Sequence, residues 1–146
     1  MHKSLISFFA IVFIAMGSAH YTLAAPIPLP VRAVKGNEQV LQDAFQNRRT
    51  NIQVESQGVV TKILSDDSDG SRHQRFIVRL SSGQTLLMAH NIDIAPRIEG
   101  LKVGDRVAFF GEYEWNTQGG VIHWTHRDPV GRHVAGWIRH NGRTYQ

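Results

Sequence analysis

From residue 51 onward, apolar and polar residues alternate in short runs, and each run ends at a cluster of turn-forming residues. Alternation with period two places one set of side chains on each face of an extended chain, so these runs predict strands with one buried face. They fall at 52–64, 74–80, 85–90, 106–115 and 120–125, with a sixth at 136–140. The polar breaks 65–71 and 81–83 read as hairpin connections. The first of them carries Asp66, Asp67, Asp69 and Gly70, but without the twelve-residue pattern and terminal Glu of a calcium loop it reads as a plain turn. Ahead of the strands the period changes. Val40, Leu41, Ala44 and Phe45 recur at one-turn spacing, with Glu38 near the start and Arg48 and Arg49 near the end, which predicts a short amphipathic helix over 37–47.

Three features choose an architecture. The first strand is unusually long, Gly104-Asp105 leads into the fourth, and a short turn at 116–120 joins the fourth to the fifth. This plan is that of a mainly β, five-stranded OB-like barrel preceded by a short N-terminal helix. A small SH3-like barrel is the competing arrangement. Gly58, Gly104, Gly111 and Gly120 suit either, because a small barrel needs sites where a strand bends or backbones approach closely.

Residues 1–25 carry Lys3 as their only full charge, an apolar run of about 12 residues, and then small residues at Gly17, Ser18, Ala19, Ala24 and Ala25. Such a run is short of the roughly 20 residues that span a bilayer, so the segment reads as a secretory signal with no stable membrane anchor. Pro26, Pro28 and Pro30 then alternate with apolar residues, which predicts an extended linker over 26–36. The remaining 37–146 is expected to be one helix-plus-barrel domain, exported to the periplasm or beyond the cell.

The chain has 146 residues, 16 Lys plus Arg, 12 Asp plus Glu, and no Cys. The absence of Cys excludes a thiolate nucleophile, an iron–sulfur cluster and an all-Cys zinc site. The basic excess is local, because residues 127–146 hold Arg127, Arg132, Arg139 and Arg143 against Asp128 alone. With Trp124 and His90 these arginines are candidate ligand contacts, and His126, His133 and His140 lie in or beside the same stretch. An anion-facing surface suited to nucleic acid or another polyanion is one reading, and a solvated edge is the other.

His123, His126, Asp128 and His133 crowd into eleven residues. They are candidate ligands for zinc or another divalent ion, or candidate groups for metal-free acid–base chemistry beside an arginine. A hydrogen-bonded structural turn is the plainer alternative. On a strand His123 and His126 point to opposite faces, so they converge only if the chain turns at or before His126. Glu112 and Glu114 fall on the face opposite Tyr113 and Trp115, and would join such a site only if that face met the histidines. Tyr113, Trp115, Trp124 and Trp137 could stack on bases or fill the core. The function classes left open are a polyanion-binding barrel, a metal-dependent or His-based hydrolase of the phosphodiesterase or nuclease kind, and an envelope protein–protein interaction module.

The composite of His90-Asn91-Ile92-Asp93, Ala95-Pro96-Arg97, Gly104-Asp105, Gly111-Glu112-Tyr113-Glu114-Trp115, and His123-Trp124-Thr125-His126 followed by Asp128-Pro129, Gly131, His133 and Gly136-Trp137 resembles a known group. It is that of a bacterial family of small exported proteins catalogued only as a domain of unknown function. The resemblance covers roughly residues 37–146, with His-Trp-Thr-His-x-Asp-Pro as its densest part. It implies export and a compact β domain, and it carries no substrate or catalytic role.

Overall fold

The computed structural model describes residues 31–146, with side chains from residue 37 onward. The segments expected as signal and as the proline-rich start of the linker lie outside the described residues. Helix α1 spans Val31–Gln46. It therefore begins six residues earlier than the apolar spacing indicates, and residues 31–36, expected as linker, are helical. The physical reason lies in the sequence: Pro30 is the last residue in this stretch that resists helix, and nothing from Val31 to Gly36 opposes one strongly enough to delay it.

Seven strands follow: β1 Ile52–Ile63, β2 His73–Arg79, β3 Thr85–Asn91, β4 Arg106–Glu114, β5 Val121–His123, β6 Trp137–His140 and β7 Arg143–Tyr145. Five of them form a closed barrel in the order β1-β2-β3-β5-β4, with β4 pairing back onto β1. The long first strand makes closure possible. Its residues 52–59 pair with β4 and its residues 59–63 with β2, and a bulge between Val60 and Lys62 marks the bend. Gly58 stands at that bend because a Cβ there would collide with Val78 and with the carbonyl of Arg79. The Gly104-Asp105 lead-in is bonded to the same place, with Gly104 N donating to Val60 O and Val60 N to Asp105 O. A short parallel pairing of β3 with β5 completes the ring, giving the five-stranded OB-like topology that the strand spacing indicates.

The β6–β7 hairpin joins β4 along residues 107–110, on the edge that β5 covers only at 112–114. β7 is absent from the sequence-based reading, although Asn141-Gly142 signals its turn. Both residues have positive φ, 48° and 76°, as a two-residue hairpin that follows the twist of its strands requires.

The core is the inward face of every strand: Val54 and Val60, Phe76 and Val78, Leu86 and Met88, Val107, Phe109 and Tyr113, Ile122, Ile138 and Tyr145. Leu41 and Ala44 of α1 complete it, whereas Val40 is exposed. A buried carboxylate also fastens the helix. Glu38 accepts hydrogen bonds from Ser81 N, Ser81 Oγ and Ser82 N in the β2–β3 turn. At the other end of the helix, Trp115 Nε1 donates to Phe45 O at 3.0 Å. The acidic turn is an ion-paired connection, with Asp66 on Arg97 and Asp67 on Arg75.

Candidate functional site

The outward face of β4 carries Ala108, Phe110, Glu112 and Glu114, because Val107, Phe109, Gly111 and Tyr113 point inward. Antiparallel register then sets the neighbours: Glu112 lies opposite Gln53 on β1 and opposite His123 on β5. Phe110 lies opposite Trp137 on β6, their ring centroids 6.4 Å apart. Arg139, two residues beyond Trp137 on the same face, stacks its guanidinium on that indole at 4.0 Å.

Residues 124–136 fold back over this face. The reversal occurs immediately after β5, at Trp124, which adopts a left-handed φ of 51°. A bulky residue in that region is strained by about 1–3 kcal/mol, and neighbouring contacts hold it there. Trp124 lies flat on the His133 ring, with centroids 4.0 Å apart and planes 9° from parallel. Asp128 organises the loop itself: Oδ1 accepts from Val130 N, and Oδ2 from Arg132 N and His133 N. Those bonds hold its carboxyl below the usual carboxylate range. Gly136 closes the loop by donating to His126 O, and it packs against the carbonyl oxygens of Trp124 and Phe110.

His133 Nδ1 donates to Val134 O and Nε2 to Glu112 Oε2, each at 2.9 Å. Partial burial pulls the pKa of this ring down, but the Glu112 contact and the Val134 carbonyl outweigh it, so the net shift is upward. With an acceptor at each nitrogen, the ring is suited to carry a positive charge. Gln53 Nε2 adds a longer bond to Glu112 Oε2 at 3.3 Å.

Glu112 Oε1 and Glu114 Oε1 face His123 Nε2 instead, at 3.4 Å and 3.7 Å. That nitrogen is screened from solvent and makes no hydrogen bond among the described residues. The other oxygen of Glu114 accepts from Thr50 Oγ1. Glu112, Glu114 and His123 therefore present three donor atoms within 4.8 Å of one another, the set best suited to a cation among the described residues.

The histidines grouped by sequence divide between two environments. His123 and His133 meet on the outer face through Glu112. His126 is buried, and its Nδ1 donates to Arg127 O. Burial lowers its pKa, partly offset by that carbonyl. Asp128 spends both oxygens on the loop backbone, so His123, His126, Asp128 and His133 do not form one donor set. His90 is fully buried, with Nε2 against Pro96 O at 3.0 Å and Nδ1 against Thr125 Oγ1 at 2.9 Å. Burial lowers its pKa to about 4. His140 also turns inward and bonds Asp105 at 2.8 Å.

The arginines separate as well. Arg127 and Arg132 are exposed on the loop and Arg139 on the outer face, whereas Arg143 lies over Tyr145, whose ring faces the core. Glu112 and Glu114 are the residues whose place beside His123 and His133 the sequence left open. Their signal was period two: both share a face, and a five-stranded barrel puts that face beside the fifth strand.

The fold and this face define a small OB-like barrel with a polar, aromatic outer surface closed by a His-rich loop. The chain belongs to the family described as "Protein of unknown function (DUF3465)", whose model matches residues 24–146. No curated protein matches the chain.

Proposed function

We propose that this is an exported barrel protein that binds an anionic ligand, nucleic acid or another polyanion, along its outer face and C-terminal loop. One observation carries the reading. Arg127, Arg132, Arg139 and Arg143 fall within residues 127–146 beside a single carboxylate, Asp128, and like Arg48, Arg79 and Arg106, but unlike Arg49, Arg72, Arg75 and Arg97, they make no ion pair among the described residues. Unpaired guanidinium groups retain their full capacity for bidentate contact with phosphate or sulfate. The Arg139–Trp137 stack beside Phe110 adds a flat surface on which a base or sugar ring can lie. Export rests on the short apolar run and small residues of 1–25.

Fluorescence anisotropy with a labelled oligothymidylate, titrated at several salt concentrations, tests the proposal. Four phosphate contacts on a single strand give a log–log salt slope of roughly −3. Replacing the four arginines by Gln is expected to abolish binding, and Arg139→Gln alone to weaken it more than Arg143→Gln, which lies off the aromatic face. Unchanged affinity in the fourfold variant would sink the proposal.

A further inference from the structure

We propose that Glu112, Glu114 and His123 form a binding site for a divalent cation of the zinc class on the outer face of the barrel, with a coordination position left open. This inference is independent of the arginine surface, and it draws on carboxylates that polyanion binding does not use.

Three features of the geometry support it. The first is spacing. Four donors at about 2.1 Å from a tetrahedral zinc stand roughly 3.4 Å from one another. His123 Nε2 lies 3.4 Å from Glu112 Oε1 and 3.7 Å from Glu114 Oε1, beyond a good N–H···O hydrogen bond and close to the separation of two ligands sharing one ion.

The second is how the carboxylates are held. Each has one oxygen committed outward, Glu112 Oε2 to His133 and Gln53, and Glu114 Oε2 to Thr50. Each thereby turns its remaining oxygen toward the same imidazole nitrogen. Partners that orient a ligand through its second atom are the usual support of metal sites. The third is the imidazole itself. Its Nε2 is out of reach of solvent and has no hydrogen-bond partner among the described residues, a costly state for a polar atom that a coordinate bond would relieve.

Charge agrees with this arrangement. Two carboxylates converge here on one imidazole nitrogen, and the ring of His133 meets only the far oxygen of one of them. The backbone makes the site rigid, since Glu112 and Glu114 are two apart on β4 and His123 is directly across on β5. Three protein ligands leave a fourth tetrahedral position for water or for an anionic group, as catalytic zinc sites do.

The test is isothermal titration of the metal-free full chain with Zn²⁺ alone, repeated with Co²⁺ to read coordination from its visible absorption. One ion per chain is expected, with the intense cobalt bands of tetrahedral coordination. His123→Ala and Glu114→Gln should each lose stoichiometric binding, whereas His126→Ala, whose ring lies outside the site, should keep it. Thr50→Val, which frees only the outer oxygen of Glu114, should weaken binding about 10- to 100-fold. Circular dichroism melts verify that each variant is folded, and Zn²⁺ should raise the melting temperature of the wild type but not of His123→Ala. Absence of stoichiometric binding by the wild type, or binding that survives in folded His123→Ala, overturns the proposal.

Discussion

His90 shows how much of this protein depends on a single neutral ring. A neutral imidazole that donates from Nε2 to Pro96 O and accepts at Nδ1 from Thr125 satisfies both contacts, and a proton added in this buried place meets His126 and His73 nearby. The folded-state pKa of about 4 lies below the unfolded value of 6.5. Its contribution to stability is therefore complete above pH 6.5 and is lost as pH falls toward 4, by at most about 3 kcal/mol. His126 shifts in the same direction, whereas the raised His133 works oppositely, its contribution lost as pH rises through its folded value. Denaturant melts between pH 4 and 7 should show stability falling toward acid, and His90→Asn should flatten most of that slope. An unchanged slope would assign the pH dependence to other groups.

Among the elements, the 124–136 loop brings His133 to Glu112 and carries Arg127 and Arg132. It holds its place through the strained turn at Trp124, the Trp124–His133 stack and the close seat of Gly136 on β4. A Cβ at 136 would run into the carbonyl oxygens of Trp124 and Phe110, which are backbone atoms and cannot swing aside. Gly136→Ala is expected to cost about 1–3 kcal/mol and to detach the loop while the barrel persists. Hydrogen exchange checks this, since the Gly136 amide, bonded to His126 O, should lose protection while the amides of β1 and β4 keep theirs. Period two made the strands and the common face of Glu112 and Glu114 legible in advance. The reversal at Trp124 was not, because tertiary contacts impose a left-handed conformation on a residue that seldom adopts it.

At the scale of the molecule, a short helix closes a small barrel, and burial of Leu41 and Ala44 alone gives that contact little directionality. Glu38 supplies it. Three hydrogen bonds from the β2–β3 turn converge on one buried carboxylate, so Glu38→Ala should destabilise the protein by about 1–3 kcal/mol and loosen the helix first. Amide exchange in α1 that accelerates before any in β2 and β3 is the expected signature, and equal acceleration throughout would mean that apolar packing alone seats the helix.

The sequence by itself determined the barrel and the sorting of inward from outward positions, because strand alternation, turn residues and glycine at crowded positions are local properties. It showed equally which types of chemistry are present: imidazole, carboxylate and arginine, without a thiol. Tertiary structure alone decided which of these groups meet. Closure of β4 against both β1 and β5 sets Gln53, Glu112 and His123 side by side, though 59 residues separate the first two. The same closure sends His90, His126 and His140 inward, and leaves Asp128 serving its own loop. Side-chain partners across strands depend on register and barrel closure, which no window of sequence contains.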